Sequence, residues 1–140
     1  MLCVASLGIA FLILTGGWIS HSILGIPIEI YKNSVSTIKK NSLKGELSRK
    51  TRLIIWDEVP MQHRFAPEAI DRTLRDFMNQ PDLPFGDITV AFGDFQQTLP
   101  IIPKGTKEQI IEACIQTSWL WRHIKDLHLT ENMWVDPNDQ

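Results

Sequence analysis

Leu53-Ile54-Ile55-Trp56-Asp57-Glu58 is the stretch from which the fold of this chain can be read. Its apolar residues leave no polar face, so the segment suits a strand buried on both sides, as in a parallel sheet. The run stops in two acids, which puts paired carboxylates at the strand's C-terminal edge. A second apolar run, Ile88 to Phe92, stops in the polar loop Gly93-Asp94-Phe95-Gln96-Gln97-Thr98-Leu99-Pro100. The distance between the two runs is that of a strand–helix–strand unit.

The segment between them supplies the helix. Pro67 suits a first turn, and Ile70, Leu74, Phe77 and Met78 share one face over Pro67 to Asn79. Glu68 with Arg72 and Asp71 with Arg75 are spaced as i, i+4 pairs on the exposed side, worth about 0.2–0.5 kcal/mol each. Pro81 and Pro84 close the helix. Upstream, Leu2 to Ala5 reads as a buried strand, followed by a turn at Ser6-Leu7-Gly8 and an apolar helix that Gly16-Gly17 stops near Thr15. Ile19 to Ile30 reads as extended because Pro27 excludes a helix. Lys32 to Ser42 reads as loop and Leu43 to Thr51 as a short helix. Downstream, Thr106 and Gln109 are spaced as a capping box for a helix through Thr117. Trp119 and Trp121 follow on a short helix, both expected in the core with Trp56, and Leu127 to Leu129 reads as a last strand. Alternating strands and helices predict a three-layer α/β domain.

The two polar strand ends suit one chemistry. Phosphoryl transfer from ATP to water asks a protein for positioning and charge neutralisation. An Asp at a strand end can hold the metal, and the adjacent Glu, pointing the other way along extended chain, can orient the attacking water. Asp57 and Glu58 fit those roles, and Gln97 fits a sensor of the terminal phosphate. No glycine-rich loop ending in Lys-Ser/Thr occurs in these residues, so the phosphate cradle is expected outside them.

Composition narrows the rest. With 140 residues, 44% hydrophobic, 21% charged and net charge −2, the chain fits one globular domain. Overall charge does not mark a nucleic-acid partner, but its distribution is uneven. Lys32, Lys39, Lys40, Lys44, Arg49, Lys50 and Arg52 oppose only Glu46, a basic run readable either as a nucleic-acid face or as solvated surface. Cys3 and Cys114 make no framework, and His21, His63, His123 and His128 lack zinc-site spacing on one helix. Met1 to Ile28 carries no charged side chain, which opens a membrane-anchored alternative through residues 1 to 19. Against it stand the absence of a leading basic residue and the breaks at Gly8, Gly16, Gly17 and Pro27.

Taken in order, these motifs resemble the petite-integration-frequency family of ATP-dependent 5′→3′ DNA helicases of superfamily 1B, particularly its Helitron-like branch. Cys3 to Ala10 resembles a DNA-contacting motif, and Gly16-Gly17 through His21-Ser22 the next. Leu53 to Met61 resembles the metal and base motif, Gly93 to Pro100 the sensor motif, and Leu129 to Met133 the approach to an arginine finger. The resemblance implies a partial RecA-like P-loop NTPase motor domain over residues 1–135, lacking its P-loop strand and second motor domain, with 136–140 as a truncated end. It implies Asp57 on Mg²⁺, Glu58 as catalytic base, and Gln97 at the γ-phosphate of ATP. Ser6, His21 and Ser22 would face single-stranded DNA; Phe95 would touch it or pack beneath its loop, and His21 taken alone also suits a structural role. Implied partners are single-stranded DNA and a DNA duplex or fork, without a membrane; oligomeric state is not implied. The family links the chain to DNA repair, recombination and telomere maintenance, inside the cell, in the nucleus or alternatively the mitochondrion. Trp134 stands where the family has the finger arginine, Gln96 where it has another arginine, Leu7 where it has Ser or Thr, and Trp18 and Ile19 where the branch has polar residues. These departures define a competing reading, a catalytically dead remnant that only binds DNA.

Overall fold

The computed structural model describes residues 1–6, 16–93 and 99–130. Four strands form one parallel sheet: β1 (Leu2–Ala5), β2 (Trp18–Ile19), β3 (Leu53–Asp57) and β4 (Thr89–Phe92), in the order β2-β1-β3-β4. β1 pairs β3 with Ala5 opposite Asp57, and β3 pairs β4 with Trp56 opposite Phe92. The two polar strand ends therefore emerge side by side at one edge of the sheet. β1, paired on both sides, is buried at every position. β3 departs from the expectation of burial on both faces. Ile54 and Trp56 are buried, while Leu53 and Ile55 are only half-buried.

The helices are α1 (Ser20–Leu24), α2 (Leu43–Lys50), α3 (Phe65–Met78) and α4 (Lys107–Ala113). α1 corrects the extended reading of Ile19 to Ile30. Gly25, left-handed at φ 62°, ends the helix before Pro27 is reached, so the proline excludes nothing within it. A Cβ on Gly25 would stand 2.8 Å from both Ile38 and Ser36, so loop 32–42 closes against this glycine. The loop is held there by Thr37 N–H on Gly25 O at 2.8 Å and by Ser36 Oγ–H on Leu24 O at 2.6 Å.

α3 starts two residues earlier than expected and ends at Asn79 in the left-handed conformation. Ile70, Leu74 and Phe77 are buried as expected, but the acids opposite them are not solvated. Glu68 is buried and accepts from Ser118 Oγ at 2.6 Å, with Arg64 rather than Arg72 as its nearest cation at 3.7 Å. Arg72 instead donates to Ser34 O at 2.6 Å. Asp71 does pair with Arg75, at 2.8 Å, yet inside the protein rather than on its surface. A helix covered on two sides buries a second stripe, and a polar residue there must find partners.

The capping box at Thr106 and Gln109 opens α4, which stops at Ala113; single 3-10 turns at Ile115–Thr117 and Trp119–His123 follow. Trp56 is core, edge-on to Phe92 at 6.1 Å. Trp121 is half-buried against the core, but Trp119 is exposed, with the Arg75 guanidinium 5.0 Å above its ring. Leu127 to Leu129 forms no strand and is exposed, and among the described residues no neighbouring strand offers it a ladder. No helix among the described residues is long and apolar enough to cross a membrane. The expected turn and apolar helix over Leu7 to Thr15 lie outside the described residues.

Candidate active site and nucleic-acid interface

β3 carries Asp57 to the sheet edge, where its surroundings are set by three main-chain contacts. Asp57 Oδ1 accepts from Glu58 N at 3.0 Å. Its carbonyl accepts from both Ser6 N and Ser6 Oγ at 3.2 Å, the continuation of the β1–β3 register past Ala5. Gly93 N donates to Trp56 O at 3.0 Å, and a Cβ on Gly93 would stand 2.8 Å from Asp57 Oδ1. The loop after β4 thus begins against the Asp57 carboxylate. Only glycine allows that approach without moving it.

Glu58 leaves the strand in the left-handed region, φ 56° and ψ 32°, and Val59–Met61 turns away as a 3-10 segment around Pro60. A left-handed non-glycine residue costs about 1–3 kcal/mol, and such strain concentrates at functional positions. One carboxylate oxygen of Glu58, Oε2, is buried without a hydrogen-bond partner among the described residues. Ordinary packing satisfies such an atom.

Asp57 offers hard carboxylate oxygen, the donor type Mg²⁺ takes, and Mg²⁺ is usually held by one or two carboxylates plus phosphates and water. No group of three or more His, Cys, Asp or Glu converges among the described residues, so a cage of protein ligands of the zinc type is not built there. The donor set fits Mg²⁺ shared with a phosphate.

The residues picked for a single strand divide between two depressions that share His21. Ser6 and His21 line a cleft of about 300 Å³ with Gln62, His63, Ile28 and Ile101. His21 and Ser22, both exposed on α1, line a groove of about 540 Å³ with Thr37, Lys39, Ser42 and Lys44. Lys44 Nζ donates to Ser22 O at 2.8 Å. Desolvation holds the His21 imidazole below its ordinary pKa, leaving the ring neutral at pH 7. Ser6, bonded to Asp57 O, joins the acid edge to the first cleft. Gln97 and Phe95 lie outside the described residues, as do Leu7, Gln96 and Trp134; among the described residues the structure brings Ser6, Asp57, Glu58 and Gly93 together. Sequence reasoning passed over Gln62 and His63, although a polar pair directly after the acid turn is a usable signal. Lys39 and Lys44 were visible as charge; their place beside His21 was not.

The PIF1-like helicase family model matches residues 1–140. The chain belongs to the PIF1-like helicase family. Among Pif1 relatives, it is 30% identical over 129 residues to the ATP-dependent DNA helicase Pif1 of Psychrobacter sp. (strain PRwf-1), covering 91% of this chain and 19% of that protein. It is similar to the Bacteroides Pif1 helicase solved with ADP-AlF3 and ssDNA, with a TM-score of 0.70 and 31% identity, covering 86% of this chain and 29% of that one. A Pif1 structure solved for DNA unwinding at forked dsDNA by two coordinating helicases matches with a TM-score of 0.60 and 36% identity, over 77% of this chain and 25% of that one. The chain thus spans about a fifth of the length of its curated Pif1 relative. Its parallel sheet and flanking helices match the RecA-like domain of Pif1 helicases.

Within that Pif1-like frame, Gly93→Ala is a clean probe of the acid edge. The added methyl makes its one tight contact, at 2.8 Å, with Asp57 Oδ1 and meets the Asp57 backbone at an ordinary 3.8 Å, so the carboxylate rather than the strand must move. On the motor reading proposed below, ATP turnover should fall about tenfold to a hundredfold, since misplacement by about 1 Å carries costs of that order. Turnover within twofold of the unsubstituted protein, measured in steady state, would show that the approach of Gly93 does not position Asp57.

Proposed function

We propose that residues 1–135 form part of the first motor domain of an ATP-dependent 5′→3′ DNA helicase. Asp57 holds Mg²⁺, which when bound neutralises phosphate charge. Glu58 orients the attacking water and takes its proton as the oxygen reaches the terminal phosphorus and ADP leaves. Gln97 meets the γ-phosphate; Ser6, His21, Ser22 and Phe95 meet the single strand. The observation that supports this most is the unpartnered Glu58 carboxylate oxygen beside Asp57, at the strand ends of a parallel sheet. Open parallel sheets bind ligands at that edge. A relative solved with ADP-AlF3 and ssDNA, and another solved for DNA unwinding at forked dsDNA, support nucleotide and DNA as the ligands. Roles in repair, recombination and telomere maintenance, within a nuclear or mitochondrial compartment, belong to the same reading. Two free, buried cysteines suit a reducing compartment of that kind.

Trp134 at the finger position favours a second reading, DNA binding without hydrolysis. Steady-state ATP hydrolysis by the protein extended upstream through a phosphate-binding loop, with and without oligothymidylate, separates the two. DNA-stimulated turnover supports the motor; DNA binding with no turnover supports the remnant; neither sinks both.

The groove beside His21 supplies a separate expectation. Lys39 and Lys44 should neutralise phosphates, each contributing about 0.7 to the slope of log affinity against log salt on a single strand. The double variant Lys39→Ala, Lys44→Ala should reduce that slope by about 1.4 in titrations across salt concentrations. An unchanged slope would return these lysines to the solvated surface.

A further inference from the structure

The cleft between Ser6, His21, Gln62 and His63 has a polar floor that folding alone does not explain. Gln62 is buried at 8% exposure, and its Nε2 donates to Ser20 Oγ at 2.8 Å, leaving Oε1 buried without a partner among the described residues. An orphaned buried amide atom costs about 1–3 kcal/mol, a loss that a bound donor would remove.

His63 complements it. Its Nδ1 accepts from Phe65 N at 3.2 Å, and its ring lies 4.2 Å from that of Phe65. Desolvation first, and the neighbouring Arg64 charge second, lower its pKa, so the ring is neutral at pH 7 and carries its proton on Nε2. His63 and Gln62 thus bring an aromatic ring and an amide to the lining of a cleft whose outer wall is the exposed Ile28 and Ile101. Its volume of about 300 Å³ corresponds to roughly ten waters, at about 30 Å³ each. A planar heterocycle with hydrogen-bonding edges suits those walls, whereas an aliphatic ligand would leave Gln62 unpaired.

We propose that this cleft receives one unstacked nucleobase of the bound single strand, stacked against His63 and hydrogen-bonded by Gln62. The inference rests on the single-strand reading above and adds the base-binding residues to it. Continuity favours a nucleotide over a free heterocycle. His21 also lines the basic groove of Lys39 and Lys44, so the phosphodiester leaving the base meets positive charge at once.

The test is fluorescence anisotropy of the full chain with labelled oligothymidylate and with an abasic oligonucleotide of equal length. His63→Ala should weaken the base-bearing strand about tenfold, within the range for loss of one base–aromatic stack, and leave the abasic strand unchanged. Gln62→Leu should do the same; because Gln62 is buried, its unfolding midpoint is checked, and His63→Ala decides if Gln62→Leu misfolds. Equal weakening on both strands, or none on either, overturns the nucleobase site while single-strand binding stands. Failure of the unsubstituted chain to bind either strand overturns the single-strand reading and this inference with it.

Discussion

Glu58→Gln should lower DNA-stimulated ATP turnover by about 10²–10⁴-fold while leaving nucleotide binding in place, the usual range for loss of a general base. The substitution preserves volume and the capacity to hydrogen-bond water, but an amide cannot take its proton. It also leaves the fold alone for a specific reason. Glu58 Oε2 has no hydrogen-bond partner to lose among the described residues, and the left-handed backbone at φ 56° is equally strained with either side chain. Stability and nucleotide affinity therefore stay level, and the loss falls on the rate. The measurement is kcat in saturating oligothymidylate beside the Kd for a fluorescent ATP analogue, on the protein extended through its phosphate-binding loop. Turnover retained within threefold removes Glu58 from its proposed role.

Asp71→Ala should destabilise the domain by about 3–5 kcal/mol, the range for breaking a buried charge pair from one side. Asp71 is 0% exposed and takes Phe85 N at 2.6 Å and Arg75 Nε at 2.8 Å. Truncation strands a buried N–H and frees a guanidinium that also donates to Pro81 O and covers Trp119. The Phe85 bond bears on more than local order. Phe85 sits left-handed at φ 52° in the turn that launches β4, and β4 delivers Gly93 to Asp57. Domains hold only about 5–15 kcal/mol in total, so chemical denaturation should show a large drop in midpoint, or no cooperative unfolding at all. Asp71→Asn keeps an acceptor for Phe85 and should lose less. A loss below about 1 kcal/mol for Asp71→Ala would mean that water replaces the carboxylate, against its burial.

Local signals were legible wherever the physics was local. The β3 run, its acid end, the capping box at Thr106 and the apolar face of α3 each depend on neighbours within one or two turns of chain. The misreadings have the opposite character. Glu68 and Asp71 look solvated because periodicity marks only the most apolar stripe, whereas α3 is covered on a second side by Ser118 and by the turn holding Phe85. Ser20–Leu24 reads as extended from Pro27 alone, whereas the left-handed Gly25 ends the helix two residues before the proline. Leu127 to Leu129 alternates like a strand, but without a partner strand among the described residues, alternation forms nothing.

By itself, then, the sequence determined the acid pair at a strand end, the strand–helix–strand distance to Gly93 and the family to which the chain belongs. Each is a matter of residue type and spacing, which survive without coordinates. Only the tertiary structure decided that Ser6 is bonded to Asp57, that Gly93 approaches its carboxylate, and that Gln62 and His63 share a cleft with His21. Those contacts join residues tens of positions apart through the order of a parallel sheet. Hydrogen-bond register across strands, rather than anything carried along one segment, sets which side chains meet.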